Sequence, residues 1–235
     1  MISIRKINAL FTKQLKIIAH NPFILVSLLI TPLLAIALGR LEPDDEASFM
    51  GLFSMLLMMN TMIGGAFTMS CLIAEEKEKN TLNVLITSTV SVWDFLISNL
   101  LIAFIFTMGI NVFLYVYLGI TAIISWGKFL IITASSALVA AVLGASLGLG
   151  SKNQMTASTL STPLLLVPML PLFLPDNPFT NRVLYYFFTE QIHFMLKDIS
   201  DGDFQLFRIA IVAANFVVFS LIFAVLYKKR GLGVE

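Results

Sequence analysis

The chain has 235 residues, of which 58% are apolar, and it carries only 15 Lys and Arg residues and 14 Asp and Glu residues. A soluble domain of this composition would expose too much apolar surface to stay in solution, so the composition predicts a membrane protein. The net charge of +1 gives no indication of nucleic-acid binding, and we expect none. The single cysteine, Cys71, excludes an intrachain disulfide and a thiolate metal site built from one copy of the chain.

The first predicted element is an amphipathic helix over residues 4–20. At about 100° per residue, apolar side chains occupy one face and cations the other, and only Gln14 intrudes on the apolar face. The cations proposed to meet the membrane surface are Arg5, Lys6, Lys13 and Lys16. Such a helix lies in the headgroup layer, where anionic lipid attracts its cations. Because Asn21 precedes Pro22, we expect the helix to break there, which makes residues 1–21 an interfacial elbow; an ordinary topology signal is the alternative interpretation.

Six apolar stretches are long enough to cross about 30 Å of hydrocarbon as helices. They lie at residues 22–38, 49–74, 95–118, 129–149, 155–174 and 206–227. Alternating loops then place ten of the fifteen Lys and Arg residues on the side of both termini, and nine of the fourteen carboxylates on the other side. The positive-inside bias predicts that both termini are cytoplasmic in a multi-pass protein of the cell membrane. The sequence therefore predicts an all-α membrane protein with a single domain over residues 1–235.

The loop between the second and third spans, residues 75–93, carries the most informative pattern. Glu75 and Lys79 form an i,i+4 pair in the favourable order, which indicates that the second helix continues beyond its apolar stretch. Ser91 and Asp94 are spaced as a capping box that begins the third span. The residues between form a short predicted helix with Leu82, Leu85 and Ile86 on one face. An exposed apolar face in the cytoplasm predicts a protein partner; the alternative is that this helix folds back onto the membrane.

This loop resembles that of the membrane subunits of type-2 ABC exporters, which are six-helix permeases whose ATPase is a separate protein. The family pattern is acidic-basic-acidic, then Gly-Thr-Leu-x-x-Leu-Leu, often followed by Pro-Val. The matching residues here are Glu76, Lys77, Glu78, Thr81, Leu82, Leu85 and Ile86. Asn80 and Thr89 stand where the family usually has glycine and proline. The resemblance extends over the whole chain and implies that residues 81–90 are a coupling helix that sits in a cleft of the ATPase.

The resemblance also implies the partners and the cargo. We expect a second permease, identical or a sister chain, and two soluble ATPase subunits that hold ATP and Mg²⁺, so this chain itself is no enzyme and binds no cofactor or metal. The expected coupling residues are Glu75, Glu76, Glu78, Thr81, Leu82, Leu85 and Ile86, the acids facing basic groups of the ATPase and the apolar residues its groove. Permeases of this small format are similar to exporters of phenol-soluble modulins and to lantibiotic-immunity permeases, so the expected cargo is a cytolytic or antimicrobial peptide.

An ATP-independent channel or secondary transporter is the alternative function. Such proteins ordinarily place charged residues at mid-membrane, and the sequence places none there.

A membrane enzyme is a third interpretation, because Gly144 to Gly148 match the nucleophile-elbow pattern around Ser146. Neither histidine, His20 or His193, is an evident base for that serine. Glu190 and His193 form one i,i+3 pair, which falls short of a di-metal site.

The remaining predictions concern the outer side and the packing of the spans. Residues 175–205 are too short to cross but carry apolar residues at helical spacing, which predicts an outer re-entrant or interfacial segment; a loop resting on lipid is the alternative. In the family a similar piece caps the translocation route.

Small residues in the fourth span predict close helix packing, and the polar residues within the spans are expected to bond neighbouring helices. These two sets are Ala140, Gly144 and Gly148, and Asn60, Asn111 and Asn215.

Overall fold

The computed structural model of the chain describes residues 4–39, 46–79, 91–167, 170, 178–200, 202 and 205–230. Regular structure in these residues is helical throughout, which confirms the predicted all-α class. The α-helices are α1 Ile4–His20, α2 Pro22–Leu38, α3 Glu46–Asn60, α4 Thr68–Glu78, α5 Val92–Tyr117, α6 Trp126–Gly150, α7 Gln154–Leu166, α8 Pro178–Val183, α9 Phe188–Ser200 and α10 Leu206–Arg230. A π-helical turn, Thr61–Phe67, joins α3 to α4, and 3₁₀ turns occupy Ile120–Ala122 and Leu184–Tyr186.

Among the described residues, four helices are long and apolar enough to cross a membrane. They are Ser48–Glu78, Trp93–Tyr117, Trp126–Gly150 and Leu206–Lys229. The pair α1 and α2 meets the same test but is bent by 81°, so it counts at most as one further span. The predicted fifth stretch, residues 155–174, is described as the 13-residue helix α7, and residues 168, 169 and 171–174 lie outside the described part. The described part therefore holds four or five spans, against six predicted from the whole sequence.

Local side-chain signals set the beginnings of two spans. Asn21 Oδ1 accepts hydrogen bonds from the backbone N–H groups of Phe23 (3.2 Å) and Ile24 (3.3 Å), so it caps α2 immediately after the elbow helix ends. The predicted capping box of α5 is confirmed. Ser91 Oγ accepts from the N–H of Asp94 (3.1 Å), and Asp94 Oδ2 accepts from the N–H of Ser91 (3.2 Å).

One span forms the centre of the bundle. We call Ser48–Glu78, made of α3, the π turn and α4, the central span; every residue from 56 to 76 is buried. Helices α5, α6 and α7 pack around it, α1 packs on α5, and α10 packs on α6. Helix α9 packs against α3, α6 and α10. The other helices thus enclose the central span, whereas α10 remains mostly exposed on the outside.

Small residues let the central span and α6 approach at backbone distance. A Cβ added to Gly144 would lie 2.2 Å from the carbonyl oxygen of Ala66, and one added to Gly148 would lie 2.9 Å from that of Ser70. The predicted packing role of this row in α6 is thereby confirmed. Within a bilayer, burying an apolar side chain away from lipid gains little hydrophobic free energy, so this contact depends on dispersion and close backbone approach.

The asparagines within the spans bond neighbouring helices and turns, as predicted. Asn60 Nδ2 donates to Asn111 Oδ1 (2.7 Å) and to the carbonyl oxygen of Thr107 (3.0 Å), which ties the central span to α5. Asn215 Nδ2 donates to the carbonyl oxygen of Tyr186 (2.8 Å) and so ties α10 to the 3₁₀ turn before α9. Each bond satisfies a polar group that would otherwise lie unpaired in an apolar surrounding.

Candidate functional site

The elbow helix α1 is joined to α4 by a buried charged contact. Glu76 is 1% exposed, and Lys13 Nζ lies 2.7 Å from its Oε1 and 2.8 Å from its Oε2. Gln14 Nε2 donates a third hydrogen bond to Oε1 at 3.1 Å. A carboxylate removed from water needs such partners, so the position of α1 is fixed relative to the end of the central span. We call this end of the bundle the elbow end.

Gln14 accounts for the interrupted apolar face of the elbow helix. It lies between Leu10 and Ile18 on one stripe of α1, and all three side chains are buried against protein. Leu10 packs in a cluster with Met69 and Ile73 of α4. The middle of the apolar face is therefore turned to the bundle, and only its flanks are open, with Ile4 85% exposed.

The four cations predicted to meet the membrane surface are not equivalent. Arg5 and Lys16 are exposed, whereas Lys6 and Lys13 are half-buried. Lys13 is bonded to Glu76, as described above. The contact of these cations with lipid stays a prediction.

Glu75 connects three parts of the chain. Its Oε1 lies 2.5 Å from Lys79 Nζ, which confirms the predicted i,i+4 pair. Its Oε2 accepts a hydrogen bond from Asn21 Nδ2 (3.0 Å), and the same amide nitrogen donates to Gln154 Oε1 (3.2 Å). Glu78 Oε2 accepts from the backbone N–H of Gln154 (3.0 Å), at the positive end of the α7 dipole.

Lys77 extends these contacts to a further helix. Its Nζ donates to the carbonyl oxygens of Leu149 (2.9 Å) and Ser151 (2.6 Å) at the carboxyl end of α6, where a cation also complements the helix dipole. The last turn of α4 thus holds α1, the start of α2, α6 and α7 together.

The predicted coupling residues divide into three groups. Thr81, Leu82, Leu85 and Ile86 lie outside the described residues, and the prediction for them stands as made. Glu75 and Glu76, predicted to face an ATPase, are buried and bonded within the chain. Apart from Lys79, the partners named above come from residues 54 to 63 positions earlier, which spacing in the loop could not indicate. Glu78 is exposed next to the loop.

Helix α9 closes the opposite end of the bundle, which we call the far end. His193 Nδ1 lies 2.7 Å from Ser54 Oγ of α3. Asp198 is bonded to both Nε and Nη2 of Arg208, the latter at 2.8 Å, at the start of α10. Burial raises the pKa of Glu190 to about 7. Burial, with the nearby cations Lys197 and Arg208, lowers the pKa of His193. The described part of residues 175–205 is therefore packed on the bundle by polar as well as apolar contacts.

The described residues contain no candidate metal site, and they do not pair Ser146 with a histidine. No three His, Cys, Asp or Glu side chains within them are close enough to hold a metal ion. Ser146 Oγ donates to the carbonyl oxygen of Val142 (3.0 Å), and the serine beside His193 is Ser54. One sequence feature, Gln14 on an apolar face, indicated a contact at the elbow end, whereas no feature indicated Asn21 or Gln154 as partners of acids in α4.

Comparison with known proteins gives one assignment. The family model described as "ABC-2 family transporter protein" matches residues 4–227, which include the elbow helix, the central span, the loop after it and helix α9. No curated protein gives a significant match to the chain.

Proposed function

The chain belongs to the ABC-2 family of transporter proteins, and from this membership we propose that it is the permease subunit of an ATP-driven exporter. Membership makes it a multi-pass membrane protein of an ABC transporter that works with an ATPase subunit. We further propose that two soluble ATPase subunits bind ATP and Mg²⁺, that a second permease completes the assembly, and that the elbow end faces the cytoplasm from the cell membrane.

One observation carries the proposal for coupling. The last turn of the central span, immediately before the predicted coupling helix, is bonded to the elbow helix through Glu76 and to the end of α6 through Lys77. The central span continues from there, through residues buried on every side, to the contacts of α9 at the far end. Force applied at the loop therefore has a packed and hydrogen-bonded route across the bundle.

The proposed mechanism is a shift between two arrangements of the spans. Closure of the ATPase subunits on ATP would draw the two coupling helices together and bias the bundle from an inward or laterally open arrangement to an outward one. A differential free energy of about 5.5 kcal/mol is enough to reverse such an equilibrium from 1:99 to 99:1. Binding and hydrolysis on a partner subunit can supply this shift only if the partner interacts differently with the two arrangements.

The proposed cargo is an amphipathic molecule, and a cytolytic or antimicrobial peptide is our first choice. The spans present apolar surfaces with almost no charge, which suits a substrate that partitions into the bilayer. Export of such peptides, or resistance to them, would be measured in cells with and without the chain. Unchanged peptide handling would point to a lipid, drug or polymer cargo.

The decisive experiment addresses the coupling helix. Replacing Leu82 and Leu85 by Asp places charges on the face predicted to enter the ATPase groove, and desolvating them there is costly. We expect the double variant to insert normally but to lose co-purification with the ATPase and ATP-dependent transport in vesicles.

Thr87→Asp is the matched control, because at about 100° per residue it lies on the opposite face of the predicted helix. It should retain the ATPase. Normal recovery of the complex with the Leu82→Asp, Leu85→Asp variant, or transport without nucleotide and ATPase, would contradict the proposal.

A further inference from the structure

An open cleft lies at the elbow end between α1 and the end of the central span. Its volume is about 490 Å³, within the range of sites that hold small ligands. Its lining contains three lysines, one acid and two apolar residues, together with two further polar residues: Lys13, Lys16, Lys79, Glu75, Ile17, Pro22, His20 and Asn21. A cleft lined by both lysines and apolar residues suits an anionic amphiphile.

Lys16 brings a positive charge to this cleft that no acid within the described part of the protein offsets, whereas Lys13 is paired with Glu76 and Lys79 with Glu75. Both oxygens of Glu75 are occupied, one by Lys79 and the other by Asn21, so this carboxylate is already neutralised and hydrogen-bonded. The Lys79 side chain is 58% exposed and uses one of its three N–H donors on Glu75. Lys16 is exposed, and its ammonium group has no hydrogen-bond or ion-pair partner among the described residues. An anion in the cleft could therefore pair with the charge of Lys16 and accept hydrogen bonds from the remaining N–H donors of Lys79.

The cleft continues into an exposed apolar strip of α2. Pro22 lines the cleft and begins that helix. At 3.6 residues per turn, Phe23, Val26, Ile30 and Leu33 fall within about 100° of one face, next to Pro22. Their exposed fractions are 49%, 60%, 40% and 61%. This strip runs about 15 Å along the helix, which matches much of an acyl chain within one leaflet.

We propose that this cleft binds the phosphate of an anionic phospholipid headgroup, with Lys16 and Lys79 as its cationic ligands and the exposed strip of α2 as the seat of an acyl chain. The proposal rests on the placement of α1 in the headgroup layer, which the 81° bend between α1 and α2 supports. It requires neither the ATPase nor any particular cargo. A lipid bound here would contact both α1 and the last turn of the central span, and would stabilise their relative position.

The test is lipid retention by the purified full chain in a neutral detergent, measured by native mass spectrometry. The probes are phosphatidylglycerol, zwitterionic phosphatidylcholine, glycerol phosphate and inorganic phosphate. We expect phosphatidylglycerol to be retained over phosphatidylcholine, and both soluble phosphates to compete poorly. Lys16→Gln and Lys79→Gln should each weaken phosphatidylglycerol binding about fivefold, as the loss of one cation near an anionic headgroup implies.

Two variants serve as controls. Lys16→Arg keeps the charge and should keep binding, and Lys152→Gln removes an exposed cation outside the cleft and should leave binding unchanged. Equal losses in Lys152→Gln and Lys16→Gln, or equal retention of phosphatidylcholine, would overturn the site. Glycerol phosphate or inorganic phosphate competing as well as the lipid would overturn the lipid as ligand and assign the cleft to a free phosphate. Because no ATPase is present, failure here is distinct from failure of the coupling experiment.

Discussion

Gln14 and Glu76 illustrate how single polar residues fix the geometry of an apolar bundle. Glu76 lies almost wholly out of contact with solvent and relies on Lys13 and Gln14, which come from a helix more than sixty residues earlier. A buried acceptor that loses its donor bears the full cost of desolvation, which exceeds the net gain from an average hydrogen bond. These contacts therefore specify where the elbow helix lies more than they add to overall stability.

Replacing Gln14 by Leu should lower the free energy of unfolding by about 1–2 kcal/mol, because the buried Glu76 Oε1 keeps Lys13 but loses the hydrogen bond from Gln14. The measurement is reversible unfolding in mixed micelles, followed by tryptophan fluorescence. Asn8→Leu, a similar change at an exposed position of the same helix, should alter stability by no more than about 0.5 kcal/mol. Equal effects of the two variants would show that the bond to Glu76 has no structural importance.

At the scale of elements, the contact of the central span with α6 depends on residues that lack bulk. The π turn Thr61–Phe67 includes Gly64 and Gly65, and it lies where the span approaches α5 and α6 most closely. A π turn within a span is a feature often associated with functional sites, and here the Thr68 hydroxyl donates to the carbonyl oxygen of Ile63 (2.9 Å). In the proposed two-state movement, the central span and α6 would slide against each other at this contact, because the small residues there leave few side chains that interlock.

Gly144→Ala should lower the free energy of unfolding by about 1–3 kcal/mol or more, because the added methyl group would meet the backbone of Ala66. The same unfolding measurement in mixed micelles would detect this loss. Gly109→Ala is the control: it makes the same change in α5 where nothing lies within 4 Å, and helix propensity favours it by up to about 1 kcal/mol. Indistinguishable stability of the two variants would contradict the close approach of α6 to the central span.

Across the whole molecule, the bundle has two chemically different ends joined by one enclosed span. The elbow end contains Lys13, Lys77 and Lys79 bonded to acids or carbonyl groups, and the cleft beside them. The far end is covered by α9, whose His193 is hydrogen-bonded to Ser54 of α3 and whose Asp198 is bonded to Arg208 of α10. The proposed export requires the elbow end, with its loop, to face the cytoplasm.

Single cysteines at Lys152 and Arg182, each in a Cys71→Ala background, would establish this orientation. Both positions are exposed, the first near the elbow end and the second in α8, after the fifth predicted span. A membrane-impermeant maleimide should label the cysteine at 182 in intact cells, and the cysteine at 152 only after permeabilisation. The unchanged chain should remain unlabelled because Cys71 is buried. Labelling at 152 in intact cells would refute the cytoplasmic placement of the loop.

Local chemistry in the sequence was enough to predict where several of the helices begin and end. The predicted first span, residues 22–38, coincides with α2, and the break at Asn21 and the capping box at Ser91 and Asp94 are confirmed. These features depend on the length of apolar stretches, on the conformational restriction imposed by proline and on side chains that bond backbone groups three positions away. All three act over a few residues, so the sequence reveals them directly.

The tertiary structure alone decided which span is central and which side chains meet. The most apolar span, Leu206–Lys229, lies outside, while the less apolar Ser48–Glu78 is enclosed, because lipid accepts only apolar surface and a protein interior can pair polar groups. Likewise, Glu75 and Glu76 face the elbow because Lys13, Gln14 and Asn21 are brought to them by folding. Bonds between residues so far apart in the chain leave no periodic pattern in sequence, so only packing in three dimensions determines them.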